Sequence, residues 1–293
     1  MNRRLTATVL LVAVCAVWGS TFTVVKDAVE RMPVLDFLAW RFVIATVALW
    51  LIRPRSLAGL GRRGWTHGVL LGLVLGAGYL TQTYGLETTP ASVSGFITGM
   101  FVVFTPLVAG FVLRRPIGGT AWAAVGLASV GVALISLRGF SMGTGELLTL
   151  ACALSFAVHI VGLGEWSPSY DALPLAVVQL GTTAVVCTVA ASPGGIETPG
   201  DNGVWGAIVL TGLLASAAAF LVQTWAQAVL SPVRTAVILT MEPVFAGIFG
   251  VAIGGDDLDW RIIAGAFCII AAMLLVEAGP RRGAEGRVER LEA

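Results

Sequence analysis

Charge is what this sequence has least of. Only 12% of its 293 residues are Asp, Glu, Lys or Arg, against about 25% in a soluble globular protein. No ordinary water-facing surface can be built from so few charges. With a net charge of +1 and no basic patch interleaved with aromatics, the chain offers nothing to a nucleic acid. Its four cysteines, Cys15, Cys152, Cys187 and Cys268, all fall inside apolar runs, with no CxxC spacing and no pair flanking a loop. That pattern argues against a disulfide framework or a metal site and reads as small packing residues. No Walker motif is present, which argues against direct ATP drive, and the glycine cluster GVLLGLVLGAG at 68–78 lies within an apolar run with no Lys after it. No cofactor is expected.

Apolar residues fill the space the charges leave. They make up 57% of the chain, and mean hydropathy is +0.89, values that belong to an integral membrane protein. Ten stretches are each close to the roughly 20 residues that cross a bilayer as a helix: 5–25, 33–52, 66–86, 91–113, 119–137, 145–164, 173–192, 203–227, 232–253 and 259–278. Arg3 and Arg4 before the first stretch resemble a signal peptide. No small-x-small site ends that stretch, however, and Val14 stands before Cys15 where a lipoprotein site wants a small residue, so it is read as a span. With the N-terminus inside, twelve basic residues fall in inner segments and four in outer ones, Arg41 and Arg234 being left out as intramembrane. The positive-inside bias therefore places both termini in the cytoplasm.

The halves resemble each other. LLVAVCA at 10–16 matches LLTLACA at 147–153, and PLVAG at 106–110 matches PVFAG at 243–247, both at an offset of 137; YLTQT at 79–83 matches FLVQT at 220–224 at an offset of 141. Five spans per half is an odd number, so the second half must enter the membrane inverted. The expected fold is all-α, with ten transmembrane helices as two inverted five-helix repeats, 1–140 and 141–279, followed by a cytoplasmic tail, 280–293. Inverted repeats of this kind place a substrate site near the midplane between the halves.

Intramembrane polar residues are the site candidates, because each costs about 2.5–3.5 kcal/mol if ionised at mid-bilayer. Glu242 is the only charged side chain in the run from Ala236 to Ile253, and Pro243 follows it. It serves either as a proton or substrate-cation site, or as a hydrogen bonder to carbonyls near Leu239 that the proline frees. Pro106 holds the equivalent place in span 4, with Thr105 where the acid would be. Pro106 and Pro243 are thus hinge candidates. Arg41 lies at a similar mid-depth in span 2. It is read as an ion-pair partner of Glu242, a packing group on backbone carbonyls, or a contact for a substrate carboxylate. Gln82 and Gln223 are repeat-related, each two residues before an aromatic, Tyr84 and Trp225; they line a cavity or bond between helices. His159 is a packing group or a proton relay. Trp18, Thr21, Tyr79 and Trp225 either stack on or contact an organic substrate or pack within the bundle. Lys26, at the outer end of span 1, meets an anion or snorkels.

The chain also resembles the drug/metabolite transporter superfamily, specifically its ten-helix EamA-type members. The residues that carry the resemblance are WGSTFTVVK at 18–26, FLAWRFVIA at 37–45, GFITGMFVVFTPLVA at 95–109 and TMEPVFAG at 240–247. The resemblance implies two five-helix repeats around a cavity lined by spans 1, 3, 4, 6, 8 and 9, and movement or export of small metabolites. The Gly-Glu pair common after the fourth and ninth spans is replaced by LRRP at 113–116 and GGDD at 254–257.

Together these features point to a secondary transporter that exports small organic metabolites, amino acids or related compounds, by alternating access, and not to an enzyme. A proton gradient is the expected energy source, with Glu242 or His159 as carrier; facilitated diffusion, exchange and a homo-oligomer stay open. The alternative is an integral membrane enzyme or flippase acting on lipid-linked substrates, for which Asp256, Asp257 and Asp259 form the only acidic cluster. A sensor would normally add a soluble output domain, for which no room remains. Arginine in place of lysine, with abundant Ala, Val and Gly, suggests a bacterial source and its cytoplasmic membrane.

Overall fold

The computed structural model describes residues 3–112, 114, 119–136, 142–230, 235, 238–239, 241–257 and 259–278, with backbone only at 121, 135–136 and 276–278. Arg234 and the tail from 280 lie outside the described residues. The described chain is all-helical, with no strand. That is how an apolar solvent forces a backbone to satisfy its own N–H and C=O groups.

The helices are α1 (Arg3–Val29), α2 (Val34–Ile52), α3 (Gly61–Thr88), α4 (Ala91–Thr98), α5 (Phe101–Val112), α6 (Gly119–Ser136), α7 (Thr144–Trp166), α8 (Ala172–Ala191), α9 (Asn202–Leu210), α10 (Ala219–Val229), α11 (Met241–Ala252) and α12 (Trp260–Ala278), with a π-helical stretch at Thr211–Ala218 joining α9 to α10. Among the described residues, seven segments are long and apolar enough to cross a bilayer: 3–29, 34–52, 61–88, 91–112, 144–169, 172–194 and 202–229. Shorter apolar helices at 122–134, 241–252 and 260–275 occupy the other three expected stretches. Pro33 and Pro90 precede α2 and α4, where a missing N–H costs nothing, and the Asp171 and Asp201 carboxylates accept from the N–H of Leu173 and Val204 at the starts of α8 and α9.

The helices pair as α1 with α11, α5 and α4 with α7, α3 with α7 and α8, α2 with α8 and the π stretch, α4 with α11, and α6 with α12. Glycine sets the closest of these approaches. A Cβ on Gly19 would lie 2.5 Å from Phe245 Cβ and 2.7 Å from Ala246 N, so α1 and α11 meet backbone to backbone.

Span 4 is interrupted away from its hinge candidate, Pro106. Pro106 lies inside the continuous α5, and the helix breaks earlier, at Gly99–Met100, where Met100 N–H bonds to Ile97 O in a tight turn. The physical reason is proximity: a Cβ on Gly99 would lie 2.6 Å from Met273 Cε and 2.9 Å from Pro243 Cγ, so the chain turns where it crosses those residues. Pro243 is the third residue of α11 as described.

Loops that the sequence assigns to one side of the membrane meet one another. On the outer side, Arg31 pairs with Asp27 and with Asp201, and the Asp256 carboxylate accepts from Ser92 N–H at the start of α4. On the inner side Arg53 pairs with Asp171, and Tyr170 Oη lies 3.0 Å from His67 Nδ1.

Candidate functional site

A cavity lies at mid-bundle, with about 570 Å3 of non-atom space once the open solvent at its mouth is included. It takes residues from α1, α2, α3, α5, α7, α10 and α11, together with Leu239. Its polar groups are Thr21, Arg41, Gln82, His159, Gln223 and Glu242; its aromatic walls are Trp18, Phe22, Tyr79, Phe101, Phe156 and Phe220. Eight of the nine substrate or coupling candidates from the sequence thus share one cavity. The ninth, Trp225, does not: it packs with Ala226, Leu230 and their neighbours in an apolar cluster. Two residues beyond Gln223, it points about 200° around the helix.

The two charges are held separately. Arg41 is buried, and its Nε donates to Ser216 Oγ at 2.9 Å and its guanidinium reaches Tyr79 Oη at 3.4 Å. Its Cζ sits 4.7 Å from the Tyr79 ring centroid, a cation–π contact. Glu242 is buried near the start of α11 as described. No ion pair joins the two residues among the described ones. Of the readings open for Arg41, the ion pair with Glu242 is thus not formed here, and hydroxyls and a ring hold the guanidinium instead. Just before α11, the Cys15 thiol lies 3.4 Å from Ile238 O as donor.

The π stretch supplies two partners that the sequence reading missed. Ala215 O accepts from Trp18 Nε1 at 2.7 Å, and Ser216 Oγ takes Arg41. Wide π turns release carbonyls from the regular ladder. Trp18 is thereby held in the cavity wall, with its ring centroid 5.5 Å from that of Phe220. A serine among small apolar residues gives no periodic signal by which it could have been found.

The histidine and glutamines are held in three different ways. His159 Nε2 lies 2.8 Å from Gln179 Oε1, whose amide nitrogen donates to Leu175 O; the bond then runs from the imidazole N–H to the amide oxygen. Gln82 Nε2 donates to Thr98 Oγ1 at 3.3 Å. Gln223 Oε1 is buried and has no hydrogen-bond partner. Outside the cavity, Lys26 Nζ donates to Leu86 O and Thr89 O, closing the carbonyl end of α3. The acidic cluster divides into caps: Asp256 bonds Ser92, and Asp259 accepts from Arg261 and Ile262 N–H. Among the described residues no group of three His, Cys, Asp or Glu is placed to hold a metal.

Comparison with known proteins sets this geometry in context. The model of the EamA-like transporter family matches twice, over residues 5–137 and 143–278. An "uncharacterized transporter" of Archaeoglobus fulgidus is 32% identical over 94% of this chain and 86% of its own. The "uncharacterized transporter YoaV" of Bacillus subtilis is 23% identical over 90% of this chain and 94% of its own. One solved crystal structure, 19% identical, superposes with a TM-score of 0.66 over 92% of this chain and 95% of that one. It shares the fold.

Proposed function

Since the chain belongs to the EamA-like transporter family and is a multi-pass membrane transporter, we propose that it is a secondary transporter that exports amino acids or related small metabolites. The substrate would sit in the mid-bundle cavity, and access would alternate as two inverted halves, 1–140 and 141–279, rock against each other. Support for that architecture comes from the family model matching twice and from helix pairings that survive exchange of the halves. Cys15, beside Ile238 of span 9, and Cys152, beside Thr98 of span 4, lie 137 residues apart, the repeat offset. The same reading takes ten crossings, both termini in the cytoplasm and a bacterial cytoplasmic membrane.

One observation carries the substrate class. The cavity holds a guanidinium and a carboxyl that are not paired with each other, between aromatic walls. Burying either without a counter-charge is costly. A zwitterion satisfies both, its carboxylate on Arg41 and its ammonium on Glu242, with its side chain among Trp18, Phe156 and Phe220. Thermal stabilisation of the purified protein tests this with three matched ligands: an aromatic amino acid, its decarboxylated amine and its deaminated acid. The expected result is stabilisation by the amino acid beyond that by either fragment. Equal stabilisation by the amine alone would leave Arg41 without a substrate role. Glu242 is the proposed proton carrier, exchanging its proton for the substrate ammonium.

A further inference from the structure

The two repeat-related glutamines stand in different states, and so do the threonines that face them in sequence. The offset that aligns PLVAG at 106–110 with PVFAG at 243–247 also carries Thr98 to Thr235. In the first half Gln82 Nε2 is bonded to Thr98 Oγ1, one residue before the break at Gly99–Met100. In the second half Gln223 Oε1 and Thr235 Oγ1 are both buried and both without a partner. A buried polar atom without a partner forfeits its hydration for nothing. Of seven such side-chain atoms among the described residues, these two occupy the places of a bonded pair in the sister repeat. The first half shows that this fold can bring the two side-chain types together.

We propose that Gln82–Thr98 and Gln223–Thr235 are alternating latches, one closed in each of two conformations, with this structure having the first closed and the second open. The inference rests on the alternating-access reading. Each latch ties the third span of its half to the fourth. Gln82 and Thr98 lie towards the outer ends of their spans and Gln223 and Thr235 towards the inner ends, so the two bonds brace opposite sides of the cavity. Closing one while opening the other leaves the number of hydrogen bonds unchanged. The two conformations can then lie close in free energy, as an alternating transporter requires. Gln223 lines the cavity, so a substrate arriving there contacts the open latch directly.

Thr→Val keeps the shape and removes the hydroxyl, which makes the test clean. Amide hydrogen exchange, followed by mass spectrometry on the full-length protein in nanodiscs, is read over the two matching segments, 97–101 and 238–242. Thr98→Val should speed exchange at the first break and slow it at the second, shifting their ratio about fivefold, the factor given by one hydrogen bond of ordinary net strength. Thr235→Val should shift the ratio the opposite way, and the double variant should return it to the wild-type value. Ratios that move the same way in both single variants, that do not move, or that fail to cancel in the double variant overturn the latch. No substrate enters this measurement. A protein that shows the reciprocal shift yet moves no amino acid would keep the latch and lose the substrate reading.

Discussion

Replacing Arg41 by Met separates a guanidinium kept for binding from one kept for packing. Met fills a similar length without charge. The loss is readily counted: one bond to Ser216 Oγ at 2.9 Å, one weak contact to Tyr79 Oη at 3.4 Å, and a ring contact at 4.7 Å. The first two are worth about 1 kcal/mol each where only a hydroxyl is stranded, since Ser216 can turn back onto its own helix; the ring contact adds about 2 kcal/mol when desolvated. Against this stands relief of the desolvation of a buried cation with no anion beside it, several kcal/mol in effective terms. The terms nearly cancel. The expected change in stability is within about 2 kcal/mol, a shift of roughly 4–8 °C at most for a chain of this class. Tryptophan-monitored thermal unfolding at a fixed scan rate checks this, with substrate-dependent stabilisation measured in parallel. The variant should melt near the wild type and lose its response to the amino acid. A fall of well over 10 °C, or failure to purify as a folded protein, would refute the reasoning and make Arg41 a brace between α2, α3 and the π stretch.

Three other outcomes are expected. Gly19→Ala forces a Cβ against Phe245 and Ala246 backbone and should cost about 1–3 kcal/mol, read as a lower melting temperature, while Ala→Gly changes at exposed sites of α1 would not behave so. His159→Leu strands Gln179 Oε1 and should destabilise by about 1–3 kcal/mol, but the pH dependence of transport should keep its midpoint if the proposed carrier, Glu242, holds the proton; a moved midpoint would transfer that role to His159. The outer-side Asp201 carboxyl is held below its usual value by Val204 N–H first, then by Gly203 N–H and Arg31. A depressed carboxyl stabilises the fold above its unfolded pKa and loses that contribution as pH falls through the folded one. Asp201→Ala should therefore narrow the gap in melting temperature between neutral pH and the acid side of the ordinary Asp range; an unchanged gap would show the cap to be inert.

Where side-chain chemistry and burial are both written in the residue type, the sequence was readable. An acid, an arginine and two glutamines inside apolar runs have nowhere to go but the bundle interior, and all four line one cavity. The helical stretches followed from hydropathy for the same reason. What failed depended on how backbones cross. Pro106 looked like the bend of span 4, yet the bend lies at Gly99, because close passage by Pro243 and Met273 decides it. Ser216 was invisible because its value comes from a π turn, and nothing in TGLLASAA announces the extra residue. Lys26 looked like an entrance charge, and its ammonium instead closes the carbonyl end of α3. Phe156 and Phe220 are ordinary apolar residues in sequence and become cavity walls only when α7 and α10 come together.

Coupled movement of an amino acid through the cavity around Glu242 is the central claim, and uptake into liposomes tests it most directly. Purified wild type and Glu242→Gln would be reconstituted side by side and given a labelled aromatic amino acid, with and without an imposed pH gradient. The expected result is accumulation driven by the gradient in the wild type, with the glutamine variant folded but limited to no accumulation above the equilibrium level. Accumulation that survives in Glu242→Gln with the same dependence on the gradient would contradict the account and return Glu242 to a structural role at the helix break.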